Sequence, residues 1–296
     1  MKNIKFILMI IAMLIVGCDD DDDEFISDIK PGGVWMKMGD GMIVGTSDID
    51  YYDASNYTFY LKHEVPYITE AMNGGHFSVF VDREEIYQCS VHPSHSSSMP
   101  KGVFVSGLPF SQGYILNMNF IYILDETKPI IDPRNDRRII EALKKYGQYH
   151  EGMSFEIQSV TKSNNKMILT AELYNPDTFA YYYLDPEKMG IGLFHYFTNG
   201  LSLGDQNHNY YTHKEVVITP EPWDSWDKNW MSLIKSGERK KIIIEYNNFE
   251  EIPPGNYLAH FSFQGLSYMT EKKEIQQADG RIWLGGIYVI KDVVIN

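Results

Sequence analysis

In the segment from Tyr114 to Leu124, every second position from Leu116 onward is apolar. Leu116, Met118, Phe120, Tyr122 and Leu124 share one face, and Asn117 and Asn119 share the other. Successive side chains of an extended chain point to opposite sides, so this run predicts a strand with one dry face and one wet face. A chain made of such units must pair them edge to edge and bury the dry faces against one another. Met167 to Tyr174 repeats the pattern, with Met167, Leu169, Ala171 and Leu173 on one face. Tyr257, Ala259, Phe261 and Phe263 alternate with His260 and Ser262. Shorter strands are predicted at Val34 to Met38, Tyr57 to Lys62, His76 to Val81, Ile86 to Val91, Val103 to Ser106, Ile242 to Tyr246 and Ile287 to Ile295. Ser236-Gly237-Glu238 and Pro253-Pro254-Gly255-Asn256 read as turns between them, because Pro presets φ and Gly permits positive φ.

One segment departs from this rule. Asp132-Pro133 has the form of an N-cap followed by Pro at the first helical position. Ile139, Ile140, Leu143 and Tyr146 then fall at helical spacing, and Gly147 can close the helix. A short amphipathic helix is therefore expected over Pro133 to Tyr146. Many short strands with almost no helix predict an all-β fold, an antiparallel β-sandwich. Aromatics at 14%, including 21 Tyr, suit pleated surfaces. The 296 residues divide on this reading into a first sandwich domain over 31–128, a helical connector over 129–150 and a second sandwich domain over 151–296. The second half loosely resembles an immunoglobulin-type domain. Its order is strand, Asn175-Pro176 turn, long loop, Gly-Glu turn, strand and Pro-Gly-x-Tyr strand. That order implies two immunoglobulin-like domains and no particular function.

The N-terminus carries a different signal. Lys2 and Lys5 precede an uninterrupted apolar run from Phe6 to Val16. It is well short of the ~20 residues of a membrane-spanning helix and fits the core of a signal peptide. The run ends in Ile15-Val16-Gly17-Cys18, which resembles the lipobox of bacterial lipoproteins. The resemblance implies cleavage after residue 17, a diacylglyceryl group on the Cys18 sulfur and a further acyl chain on its amine. Chains of that kind together hold a protein durably in a membrane. Asp19 to Asp23 and Glu24 follow at once, within a tether over 18–30. Like charges so dense stay extended and solvated. An acidic run directly after the lipidated Cys resembles the surface-export signal of Bacteroidota lipoproteins, which implies display on the outer membrane facing outward. In enterobacteria, Asp after the Cys implies retention at the inner membrane instead.

The formal net charge of −14 repels phosphates and disfavours a nucleic-acid partner. With Cys18 acylated, Cys89 has no partner for a disulfide; within Ile86 to Val91 it reads as a buried small hydrophobe. Enzyme signatures are absent: there is no Gly-x-Ser-x-Gly elbow, no phosphate-cradling loop, no His-Glu-x-x-His and no cofactor motif. A glycosidase needs only two carboxylates that meet in space, so a glycan-active hydrolase stays open. The expected role is a non-enzymatic module binding a glycan or a protein, with an accessory subunit of an envelope or adhesion complex as a further alternative.

Candidate sites are few. Trp223, Trp226 and Trp230 lie at i, i+3 and i+7 after Pro220-Glu221-Pro222, and on a short helix would share one face. Asp224 and Asp227 between them could accept hydrogen bonds from sugar hydroxyls while the rings stack on a sugar. The same rings could instead plug the end of the sandwich. Tyr181, Tyr182 and Tyr183 on a strand must point to both faces, so at least one is expected at solvent, and Tyr210 and Tyr211 could add aromatic surface. His92 and His95 flank Pro93-Ser94 in a loop, a spacing with no third zinc ligand. Asp48, Asp50 and Asp53 could hold calcium or be a solvated loop.

Overall fold

A computed structural model describes residues 32–65, 75–93, 95–106, 112–121, 131–164, 166–266 and 270–296. The leader, Cys18 and the acidic run lie outside the described residues. Gly32 to Asn296 form one compact unit, all-β and sandwich-like, as the alternation predicts.

The first half builds two sheets. The larger is ordered β2-β1-β5-β6-β7-β9, from β1 (Val34–Met38), β2 (Ile43–Val44), β5 (Gly75–Val81), β6 (Glu84–His92), β7 (Gly102–Ser106) and β9 (Asn119–Ile121). The smaller is β10-β3-β4-β8, from β3 (Ile49–Asp53), β4 (Thr58–Leu61), β8 (Ile115–Asn117) and β10 (Tyr149–His150). The run that opens at Tyr114 is thus two strands rather than one. β8 pairs with β4, the chain steps across at Met118, and β9 pairs with β7 in the other sheet. Leu116 and Met118 are fully buried as the period requires, and Met118 Sδ lies 3.8 Å from the buried Cys89 thiol. Tyr122 to Leu124 lie outside the described residues.

The second half holds three sheets. β11 (Ser154–Ser163), β12 (Lys166–Tyr174) and β17 (Arg239–Tyr246) form one in that order; β16 (Met231–Ile234), β13 (Tyr181–Leu184) and β19 (Arg281–Ile282) form the next. The third is β15-β14-β18-β20, from β14 (Leu201–Gly204), β15 (Tyr210–Thr212), β18 (Gly255–Gln264) and β20 (Gly286–Ile295). Phe155 of β11 stacks on Phe261 and Phe263 of β18, with centroids at 5.3 and 4.9 Å, so the first and third of these sheets face each other. Full burial of rings such as these contributes about 1.5–3 kcal/mol each. Pairing is mostly antiparallel; β6–β7, β3–β10 and β13–β19 are parallel.

The expected helix over Pro133 to Tyr146 is split. A 3-10 turn at Pro133–Asn135 is capped by Asp132, whose Oδ1 accepts from Arg134 N at 3.0 Å. The α-helix α1 (Arg137–Lys145) begins afresh, because Asp136 is extended (ψ 125°) and its side chain accepts from Arg138 N at 2.9 Å. Ile139 and Leu143 are buried, whereas Tyr146 is 43% exposed. Three further short helices, α2 (Pro186–Met189), α3 (Ile191–Phe197) and α4 (Lys272–Ile275), carry no amphipathic signature long enough to read.

Contacts bind the halves together. β10, just after α1, pairs with β3; Tyr114 Oη donates to Thr270 O at 2.7 Å. The Arg281 guanidinium lies 4.5 Å from the ring centres of both Tyr51 and Phe179 and 3.3 Å from Asp50.

Candidate functional site

The outer face of the β15-β14-β18-β20 sheet carries aromatic side chains that the inner core does not need. Its register sets Gly204 beside Leu258 and Tyr210, His260 beside Ile290, and Ser262 beside Tyr288. Tyr210, His260 and Tyr288 therefore run diagonally over the strands, with centroids 6.1 Å apart at each step. His260 Nδ1 and Tyr288 Oη are 2.6 Å apart, which fixes the Tyr288 ring. Gly204 makes room: a Cβ there would stand 3.1 Å from the Tyr210 ring. Tyr210 and Tyr288 keep 61% and 62% of their surface in solvent.

Beside Tyr288 the face drops into a cleft of about 280 Å³. Its walls come from β4, β8 and β9 on one side and from β18, β20 and Leu284 on the other. The lining is rich in amides (Asn56, Asn117, Asn119 and Gln264) with Thr58 and Ser106 as hydroxyls, and among the described residues no Asp, Glu, Lys or Arg side chain lines it. The step at Met118 is what brings Asn117 and Asn119, from different sheets, into one wall. Asn117 Nδ2 donates to Thr58 Oγ1 at 2.8 Å and Asn119 Nδ2 to Asn117 O at 3.2 Å. With its amide oriented to suit its neighbours, Asn56 donates to Thr58 Oγ1 at 2.9 Å and accepts from Gly286 N at 3.3 Å. Gly286 lets the Gln264 amide lie close to the main chain: a Cβ there would stand 2.3 Å from Gln264 Oε1 and move that amide aside. The result is an uncharged set of amide and hydroxyl groups held in place by one another, with an exposed ring at its lip.

Beneath the cleft lies a buried ionisable cluster. Asp53 is 1% exposed and accepts from Ser55 N and Oγ at 2.9 and 2.5 Å. Burial pushes its carboxyl up to about 6, the Asp177 charge adds to this, and the Ser55 hydrogen bonds only partly offset it. The Trp283 indole N–H lies beside it without closing a hydrogen bond. Asp177 behaves oppositely. Burial raises it, but hydrogen bonds from His150 (2.8 Å) and Tyr181 Oη (2.6 Å) outweigh that and hold it below the ordinary carboxylate value. The His150 ring stacks on Phe179 at 3.8 Å. This pair has the outline of a histidine–carboxylate relay, yet the nearby hydroxyl, Ser55, is committed to Asp53; its work is to join β10 to the Asn175–Phe179 turn.

The sequence-predicted residues are placed as follows. Trp223, Trp226 and Trp230 do not share a helical face. Ser225 N donates to Pro222 O at 2.9 Å, the Asp227 side chain takes Asn229 N at 2.8 Å, and only a 3-10 turn at Lys228–Trp230 forms. Asp227 is extended (φ −131°, ψ 134°) between Trp226 and Trp230, and its side chain caps a new turn instead of continuing a helix. Trp223 is 61% exposed, whereas Trp226 and Trp230 pack against the core, Trp230 with Phe197 at 5.9 Å. Asp224 and Asp227 are exposed. Tyr181, Tyr182 and Tyr183 are all buried, against the expectation of one at solvent. β13 is the central strand of its sheet and both faces are covered, that of Tyr182 by the Lys228 ammonium at 4.5 Å. Tyr211 is half-buried against Tyr257. Asp48, Asp50 and Asp53 do not converge: Asp48 caps Gly45 N at 2.8 Å, Asp50 faces Arg281, and Asp53 points inward on a strand. His92 ends β6 against the Phe104 ring, and Ser94 lies outside the described residues. Cys89 is buried as its strand position predicts, and burial pushes its thiol well up.

Sequence reasoning passed over Tyr288, His260 and Gln264 as site residues. The alternation of His260 and Ser262 against the core marks them as outward, and Asn117 and Asn119 already define a wet face; what was missing is that the two faces meet. Comparison with known proteins returns no family model, no curated protein and no solved structure that matches this chain.

Proposed function

We propose that this protein is a lipoprotein, acylated at Cys18 and displayed on the outside of an outer membrane, whose body binds a neutral glycan without cleaving it. The address rests on Lys2, Lys5, the apolar run, Ile15-Val16-Gly17-Cys18 and the acids that follow. The binding role rests on one observation above others: an uncharged cleft of amides and hydroxyls with the exposed Tyr288 ring at its lip. Sugars offer hydroxyls to amides and an apolar ring face to an aromatic, and a site of this kind needs few, well-placed polar groups. Among the described residues the cleft lining offers amides and hydroxyls, and the acid pair that a hydrolase needs is not among them.

The test is retention of neutral polysaccharides in affinity electrophoresis, alongside mass spectrometry of the processed amino terminus. Tyr288→Ala and Asn117→Ala each lower affinity by about tenfold or more, in the range of a lost anchor residue, with Tyr288→Ala leaving stability unchanged. Binding that survives Tyr288→Ala but is lost in Trp223→Ala would move the ligand to Trp223, Asp224 and Asp227, with Trp226 and Trp230 as half-buried supports. An unmodified Cys18 sulfur on the native protein would refute the anchor. A protein partner is the second reading, favoured by Leu258, Ile290 and Val294, which extend the same outer face as exposed apolar side chains (43%, 52% and 61%).

A further inference from the structure

A second feature lies on the far sheets, away from the cleft. β16 pairs with β13 on one side only, and β17 pairs with β12 on one side only; each ends its sheet. The two strands border a single groove of about 700 Å³, lined by Ser232 and Leu233 from β16 and by Lys240 through Glu245 from β17, with Tyr183 and Ile191. On β16 the carbonyls of Met231 and Ile234 already accept from Lys188 Nζ and Asn175 Nδ2, so the bare edge is that of β17. Among the described residues, the main chain of Lys240 to Glu245 has no partner other than β12. Bare N–H and C=O groups in a row are an invitation that proteins normally cover or blunt.

The chain itself begins to cover this edge and then leaves. Just past β17, His213 bridges antiparallel to Phe249 and Lys214 N donates to Asn248 O at 2.6 Å. Glu215 then spends its carboxylate on the amides of Asn247 and Asn248, and by Ile218 the segment is bound to Gly192 O of α3 at 3.0 Å. The slot beside Lys240 to Glu245 is the unfilled continuation of that pairing. Charge marks its occupant. Lys241 on β17 and Glu187 on α2 have no ion-pair partner among the described residues, whereas Lys240 is held by Glu238 and Glu245 by Lys166. The apolar surface in the slot comes from Ile191, Leu233 and the half-exposed Ile243.

We propose that this groove binds an extended peptide strand of a partner protein, added to the edge of β17. The strand carries apolar side chains at alternate positions, an acidic residue against Lys241 and a basic residue against Glu187. Main-chain hydrogen bonds supply the affinity and the alternate side chains the selection, as in strand addition generally. The unpaired Lys241 disfavours a strand lacking the matching acid.

The probe is the synthetic peptide acetyl-Lys-Thr-Val-Thr-Ile-Thr-Glu-amide, added to the whole chain in detergent. Hydrogen exchange is followed at the amides of Lys240 to Glu245. The expected result is protection of the outward-facing amides at millimolar peptide. A copy N-methylated at alternate residues, which keeps the side chains but cannot form the ladder, gives none. Lys241→Glu weakens the peptide by about tenfold, equivalent to ~1.4 kcal/mol, and a peptide with Lys in place of its Glu restores binding. Absent protection, equal binding of the N-methylated peptide, or failure of the charge-reversed pair to recover each overturns the proposal.

Discussion

Asp53 is a carboxylate that the fold holds at a cost, and removing its charge is expected to strengthen the protein. The side chain is 1% exposed, and its carboxyl is raised from 3.8 to about 6 by burial, then by Asp177, against the help of Ser55. Because the folded value lies above the unfolded one, the native state keeps a proton between about pH 4 and pH 6 that the unfolded chain has already released. The contribution of Asp53 to stability therefore falls as pH rises through that window and levels off above it. Roughly two units at ~1.4 kcal/mol each make the loss about 3 kcal/mol. Asp53→Asn keeps an oxygen to accept from Ser55 N and Oγ while removing the charge. The assay is urea unfolding of the chain from Asp19 onward, at intervals between pH 4 and pH 8. His195, lowered to about 3 by burial and then by His213, and His213, lowered by burial, add stability as pH rises through the same window in both chains. The readout is therefore the difference between them: the Asn variant should gain on the natural chain from about pH 4 to pH 6 and be the more stable of the two at neutral pH. Asp177 does not confuse the result: its depressed carboxyl contributes stability that is lost only as pH falls below the ordinary carboxylate range. An Asn variant that keeps the slope, or is weaker at neutral pH, would refute the reasoning.

Other consequences are quicker to check. Cys89, at 0% exposure with its thiol pushed up by burial, should resist thiol reagents in the native state and react fully in urea, and Cys89→Ser should cost about 1–3 kcal/mol for a hydroxyl left in an apolar site. Gly265→Ala places a Cβ 2.3 Å from Trp283 O and 2.9 Å from Gly285 O; these are backbone atoms that cannot swing aside, so a loss of about 2 kcal/mol or more is expected in thermal unfolding. Trp230→Ala, a half-buried ring packed against the core, should destabilise by about 1–2 kcal/mol, and Trp223→Ala, at 61% exposure, by less than ~0.5 kcal/mol; comparable losses would mean that the two rings are packed alike.

Strands with one wet face were legible in the sequence because burial on a single side leaves a period of two. Val34–Met38 and Lys166–Tyr174 are found within a residue of where the pattern puts them. Tyr181–Leu184, buried at all four positions, has no wet face and therefore no alternation to read. The step at Met118 was hidden for a different reason: the alternation continues unbroken while the chain changes sheets, because both sheets turn their dry faces to one core. The tryptophan spacing misled since the extended Asp227 and its capping side chain, a local feature, decide the backbone there. Half of the cleft wall, Asn117 and Asn119, was visible as a wet face. Gln264 and Tyr288 complete it from much later in the chain, and no local pattern encodes which distant strands become neighbours.

The ties between the halves bear on how the polypeptide is made. Tyr114 waits for a carbonyl 156 positions downstream, and Asp50 for a guanidinium 231 positions downstream. During vectorial synthesis the early sheets emerge from the ribosome without the residues that close them. Loop closure over such spans is slow. A nascent chain thus completes these sheets only when its last strands appear.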